Sequence, residues 1–249
     1  MNARVDSVPK WFEGVHLNWA ENMLYTAQST SHSGRSKQGK EDKKIAIVEV
    51  SESSTSVRKV TYGELRARVA LFSNAMRDHG VQPGDRIGAI MGNHVDTLCV
   101  ALAAVCLGGL FTTSSTDLGS TGILERLRQI EPRWVFFDDS YIYGGKRFTL
   151  EQKIREVSDG MSDIRGFQGI IVVPRNIKKP VSIQGILRTQ TLDSFLEKSH
   201  GQSVEPHIVR VPFSQGFIIV YSSGTTGAPK CIVHAHGCGL SHIVAWQRG

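Results

Sequence analysis

The sequence predicts a layered α/β fold with a mostly parallel sheet, and three observations carry that reading. Short β-rich apolar runs at residues 86–91, 134–137, 169–173 and 217–221 are separated by segments of helical periodicity. Turn residues punctuate the joins, as at Pro83-Gly84-Asp85. The last apolar run breaks off into small and hydroxylated residues, YSSGTTGAPK at 221–230, at the strand end where α/β proteins receive ligands.

Each element has a local reason. Residues 11–27 mix aromatics and Leu with Asn18, Glu21 and Asn22, which reads as a short helix docked on the body of the protein. Residues 28–44 are rich in Ser, Gly and Lys and read as a solvated loop. A β-rich run at 45–50, a polar turn at 51–56 and a return at 57–60 predict a hairpin. Thr61 followed three residues later by Glu64 is a capping-box pattern, and Leu65, Val69, Phe72 and Met76 then recur at helical spacing up to Gly80. Helices are also expected at 95–107, 123–130 and about 150–157, with a short strand at 109–113. On the 95–107 helix, Leu98, Leu102 and Val105 form a buried face, and His94 and Asp96 at its start read as a cap and a surface residue.

Composition narrows the function. With 40% hydrophobic and 21% charged residues in 249, the chain is long enough to bury a sizeable core and has no apolar run long enough to span a bilayer. The formal charge of +6 suits an anionic ligand; because the basic residues are scattered, neither nucleic acid nor membrane is expected as a partner. Residues 1–9 contain no apolar core of a signal peptide, so the cytoplasm is the expected location. Cys99, Cys106, Cys231 and Cys238 show no CxxC spacing and are expected as buried thiols of a reducing compartment. Cys231, His234, His236, Cys238 and His242 lack the pairing of a zinc site, so no metal ligands are assigned.

The 221–230 loop is the strongest signal. Gly224 and Gly227 remove side chains, Ser222, Ser223, Thr225 and Thr226 add hydroxyl donors, and Lys230 adds a positive charge, a set suited to a polyphosphate. The Walker A pattern requires Gly-Lys-Ser/Thr, whereas Gly227 is followed by Ala228, Pro229 and Lys230, so the P-loop reading fails. A polar hairpin turn is the plain alternative, although it needs no such density of donors.

This loop resembles the signature loop of the adenylate-forming enzymes, the superfamily of acyl-CoA synthetases, peptide-synthetase adenylation domains and luciferases. Residues 60–93, VTYGELRARVALFSNAMRDHGVQPGDRIGAIMGN, are similar to that family's helix, turn and strand. Within it, WFEGVHLNWAENML at 11–24 resembles the N-terminal segment of the acetyl-CoA and acetoacetyl-CoA synthetases, and residues 123–146 and 211–237 lean toward the acetoacetyl branch, with acetyl-CoA and propionyl-CoA synthetases as alternatives. The resemblance implies the N-terminal part of the family's large domain, with residues 1–44 as an N-terminal segment and 45–249 as a partial domain. It implies ATP with Mg²⁺, coenzyme A and a small carboxylic acid as reactants. It places the ATP phosphates at Ser222, Ser223, Gly224, Thr225, Thr226, Gly227 and Lys230, and a phosphate of coenzyme A at Arg126, for which an exposed helix arginine beside Glu125 and Arg128 is the plain alternative. The family's adenine segment, ribose aspartate and C-terminal lysine come after this loop, so the chain by itself is expected to be inactive. A non-catalytic nucleotide-binding or assembly subunit is the alternative of another class.

Overall fold

A computed structural model describes residues 12–28, 34–50, 57–222, 227 and 229–247, with 242–247 described by backbone alone. Seven strands share one sheet in the spatial order Thr189–Thr191, Gly169–Val173, Trp134–Asp138, Arg86–Ile90, Leu110–Ser114, Gly216–Ser222 and Lys230–Ala235. Neighbours are parallel except the last pair, which is an antiparallel hairpin. The four segments expected to share the sheet do so, with ends displaced by no more than one residue.

The helices in chain order are α1 Trp19–Leu24, α2 Tyr62–Asp78, α3 Val95–Cys106, α4 Ser120–Ile130, α5 Glu151–Gly160, α6 Leu192–Leu196 and α7 His236–Gln247. Strand side chains alternate between faces, and that period divides the core in two. Phe136 and Ile171 join Phe72, Met76, Leu102 and Phe195 on the face covered by α2, α3 and α6. Val135, Phe137, Ile170 and Val172 pack with Ile123, Leu127, Ile154 and Val157 of α4 and α5 on the other face. The result is three layers, helix on sheet on helix.

The capping box at Thr61 is formed: Glu64 N–H donates to Thr61 Oγ1 at 3.3 Å, and Thr61 N–H donates to Glu64 Oε2 at 2.8 Å. Asn18 links two helix ends. Its fully buried side chain accepts from Ala20 and Glu21 N–H at the start of α1 and donates to the Val105 carbonyl at 2.7 Å and the Cys106 carbonyl at 3.2 Å at the end of α3. These groups have no partner within their own helices.

Three expectations are corrected. The described part of 28–44 is folded: Arg35–Ser36 pairs with Thr26–Ala27, and Asp42 and the Lys40 carbonyl accept from Arg66 at 2.7 and 2.9 Å. Arg66 sits on the inner face of α2 at 2% exposure, and the polar loop supplies the acceptors that a buried guanidinium requires. Leu98 is 37% exposed although it shares a helical face with Leu102 and Val105: it sits at the start of α3, and the buried Leu102 and Val105 lie further along it. Cys99 and Cys106 are buried as expected, and burial pushes both thiols up, but Cys231 and Cys238 are exposed on and just after the sheet's last strand. Among the described residues, no helix is long and apolar enough to cross a membrane.

Candidate functional site

Strands Leu110–Ser114 and Gly216–Ser222 run parallel and deliver their carboxyl ends side by side. Ladder pairing between them is limited to Ile218 against Phe111, and the buried Thr112 Oγ1 reinforces it by donating to the Ile219 carbonyl at 2.8 Å. Above this seam lies a groove of ≈ 540 Å³, within the size range of small-molecule sites. One wall is Thr113, Ser114, Ser115, Asp117, Leu118 and Gly119; the other is Ile218 to Tyr221, with Arg126 of α4 closing one side.

The 221–230 segment begins at this second wall, with Tyr221. Ser222 ends its strand half-buried and pairs across the hairpin with the exposed Lys230. Gly227 adopts φ +117°, a conformation that favours glycine over any residue with a Cβ. Ser223, Gly224, Thr225 and Thr226 lie outside the described residues. The Pro229 carbonyl accepts from Gln129 Nε2 at 3.0 Å, so α4 touches the exit of the loop as well as flanking its entry.

Tyr221 joins the two sides of the site. Its hydroxyl donates to the Arg126 carbonyl at 2.8 Å, and the Arg126 guanidinium carbon lies 5.5 Å from its ring centroid. Burial pushes the Tyr221 phenol up to about 12, so it remains a hydrogen-bond donor at neutral pH. Arg126 Nη1 donates to the Gly122 carbonyl at 2.7 Å, one turn back on α4. The opposite wall is braced from α5, where Lys153 Nζ donates to the Thr116 carbonyl at 2.6 Å. Asp117 projects an exposed carboxyl into the groove, held below its usual range first by the Ser115 hydroxyl.

Of the residues selected from the sequence, Ser222 and Lys230 face each other across the hairpin, and Arg126 lies against Tyr221, the residue before Ser222. The structure also adds Tyr221 and the 113–119 wall, which sequence reasoning did not select. Their signal was present: residues 112–117, TTSSTD, which finish the Leu110–Ser114 strand and run past its end, carry the same kind of small hydroxylated residues that marks the loop.

His94 departs from its expected role. It occupies the N-cap position of α3 without a capping bond, and its buried ring donates through Nε2 to the Asp138 carboxyl at 3.0 Å. Asp96 pairs with Arg68 at 3.0 Å. Of the residues set aside as zinc ligands, His236 is fully buried and uses Nδ1 to accept Trp19 N–H at 2.9 Å, while Cys238 Sγ lies 3.9 Å from His234 Nδ1.

Residues 35–248 match the family described as AMP-binding enzyme. The chain belongs to the AMP-binding enzyme family. It is 37% identical over 236 residues to the acetoacetyl-CoA synthetase of Xenopus tropicalis, covering 94% of this chain and 33% of that protein. The malonamoyl-CoA synthetase vrtB of Penicillium aethiopicum is 34% identical over 91% of this chain and 30% of its own length. Among solved structures, acetoacetyl-CoA synthetase from Streptomyces lividans superposes with a TM-score of 0.76 at 30% identity, over 93% of this chain and 32% of that one. This chain therefore spans about a third of the length of the curated relatives it matches. The likeness extends to the layered α/β architecture of this family's N-terminal region.

Proposed function

We propose that this chain carries the ATP-phosphate-binding part of an acetoacetate–CoA ligase. The reaction converts acetoacetate, ATP and CoA into acetoacetyl-CoA, AMP and diphosphate through an acyl-adenylate. The carboxylate oxygen attacks the α-phosphorus and diphosphate leaves; the CoA thiol then attacks the acyl carbon and AMP leaves. The observation that supports this reading is the glycine- and hydroxyl-rich loop, with Lys230, mounted beside an open groove at the carboxyl edge of a parallel sheet.

In this reading the loop N–H groups, the hydroxyls of Ser222, Ser223, Thr225 and Thr226, and Lys230 hold the departing diphosphate, with Gly224 and Gly227 permitting close approach. Mg²⁺, bound by the phosphates beside these residues, would supply neutralisation of the phosphate oxygens. Arg126 meets a phosphate of CoA. Positioning and charge stabilisation then carry most of the rate. Residues 1–44 serve as an N-terminal segment and 45–249 as the partial domain that holds the site. The names of the two synthetases point to a substrate class, since acetoacetate and malonamate are both short carboxylates bearing a carbonyl at the β position. This favours acetoacetate over acetate or propionate.

Acetoacetate-dependent exchange of labelled diphosphate into ATP, in a chain of the relatives' full length carrying these residues, tests the reading. Lys230→Ala is expected to lower the exchange roughly a hundred- to a thousand-fold, the usual effect of losing one such contact to developing charge. Full exchange in Lys230→Ala would remove the phosphate role from the loop. Exchange driven by acetate in place of acetoacetate would move the substrate to the alternative branch.

A further inference from the structure

We propose that the hairpin of Ser140–Tyr143 and Lys146–Thr149, together with the turn at 174–181, forms a platform that docks on an anionic lipid surface. Scattered along the sequence, the basic residues predict no membrane partner; the fold gathers five of them at one corner. The hairpin follows Trp134–Asp138 and the turn follows Gly169–Val173, two parallel neighbours, so both leave the sheet at its carboxyl edge. The buried carboxyl of Asp139 fastens them together. It accepts from the backbone N–H of Arg175 at 2.9 Å, from that of Val181 at 3.0 Å and from Ser140 Oγ at 2.7 Å. Arg147, on the hairpin, adds a bond from Nη2 to the Lys179 carbonyl at 3.0 Å. The turn is therefore held against the hairpin although it forms neither helix nor strand.

Held in this way, the two segments carry Lys146, Arg147, Arg175, Lys178 and Lys179 and no exposed acid. Asp138 and Asp139, at the root of the hairpin, are both buried, and Glu151 beyond it pairs with Arg155. Each segment also projects an apolar side chain. Tyr143 at the hairpin tip is 73% exposed and Ile177 in the turn is 86% exposed, more than any other large hydrophobic residue described. Ile142 and Phe148 are exposed beside them. Apolar tips among cations match the two-part chemistry of an anionic bilayer surface: the cations meet headgroup phosphates, and the apolar side chains enter the boundary beneath them. An acidic protein face would answer the cations but would need a pocket for each tip, whereas a lipid interface needs none.

Co-sedimentation of the 249-residue chain with vesicles of phosphatidylcholine, or of phosphatidylcholine mixed with phosphatidylserine, reads this contact. Binding is expected to the mixture alone and should weaken as salt rises. Replacing Lys178 and Lys179 together by Ala should weaken it roughly twenty-five-fold, about fivefold for each charge. Replacing Tyr143 and Ile177 together by Ser should weaken it at least about tenfold. All four side chains are exposed, so the variants are expected to unfold at the wild-type urea concentration. Replacing Lys59 and Lys198 by Ala removes the same charge elsewhere on the surface and should change binding by less than about twofold. An equal loss in that control would assign the binding to net charge and overturn the platform. Equal binding to both kinds of vesicle, or no binding by the wild type, overturns it as well. Release of the bound protein by saturating CoA would make this corner a nucleotide-phosphate surface, with the same consequence.

Discussion

Two places at the carboxyl edge of the sheet compete for the role of ligand site, and only one is open. The chain passes from Arg86–Ile90 to Leu110–Ser114 on one side and then returns to Trp134–Asp138 on the other, a topological reversal that ordinarily leaves a ligand crevice. Here that reversal is filled. Asp138 accepts from Gly92 N–H at 2.9 Å and from His94 Nε2, while Thr97 Oγ1 donates to the Gly92 carbonyl at 2.6 Å. Two strands away the groove beside the loop is lined by hydroxyls, an exposed carboxyl and Arg126. Topology alone points to the place that is filled. What separates the two is burial: His94 and Asp138 are sealed against each other, whereas Ser115 and Asp117 line an open groove.

The comparison breaks most sharply at Asp138. Its carboxyl is 2% exposed and holds two buried donors, so Asp138→Ala leaves Gly92 N–H and His94 without their acceptor. Breaking a buried pair from one side commonly costs about 3–5 kcal/mol. Urea unfolding should show a loss of that size, with diphosphate affinity unchanged in the protein that remains folded. A loss under about 1 kcal/mol would mean that this reversal is not held shut by the pair.

The contrast also explains what could be read from the sequence. The strands expected at 86–91, 134–137, 169–173 and 217–221 were legible because each is dominated by apolar residues between turn residues, whereas Thr189–Thr191 has no apolar residue to announce it, and the loop was legible because its composition has no structural need. His94 was not, because its partner lies 44 residues away on another strand and no local pattern links them. The burial of Arg66 has no local signal for the same reason: helical spacing places it on α2, but only tertiary contact with Asp42 and the carbonyls of Leu24 and Lys40 shows that it is buried. The 113–119 wall was written in TTSSTD, yet a run of hydroxyls becomes a wall only once the neighbouring strand is known to be Gly216–Ser222.

A second closed polar site allows the same contrast to be tested by pH. His236, at the start of α7, accepts Trp19 N–H through Nδ1, so its proton sits on Nε2, which is buried without a partner among the described residues. Burial pushes this imidazole down from 6.5 to about 4. Between those values the unfolded chain binds a proton that the folded chain excludes. Stability is therefore full above about pH 6.5 and falls as pH drops toward 4, by up to about 1.4 kcal/mol per pH unit and ~3 kcal/mol across the window. His236→Gln keeps a side-chain acceptor and removes the titration, so its unfolding free energy should be flatter between pH 6.5 and 4.5. Parallel profiles for the two proteins would place the pH dependence elsewhere.

The smallest effect belongs to the open site, at the seam beneath the groove. Thr112→Val preserves shape and removes the hydroxyl that donates to the Ile219 carbonyl, a buried bond expected to contribute about 1 kcal/mol. Because ladder pairing between these strands is limited to Ile218 against Phe111, the loss should be concentrated at the seam. Amide hydrogen exchange in Gly216–Ser222 should quicken about fivefold, the ratio that corresponds to about 1 kcal/mol, while exchange in Trp134–Asp138 beside the filled reversal stays unchanged. Equal acceleration in both strands would show that the two regions open together, and the distinction between a sealed reversal and an open groove would then describe side-chain chemistry but not local stability.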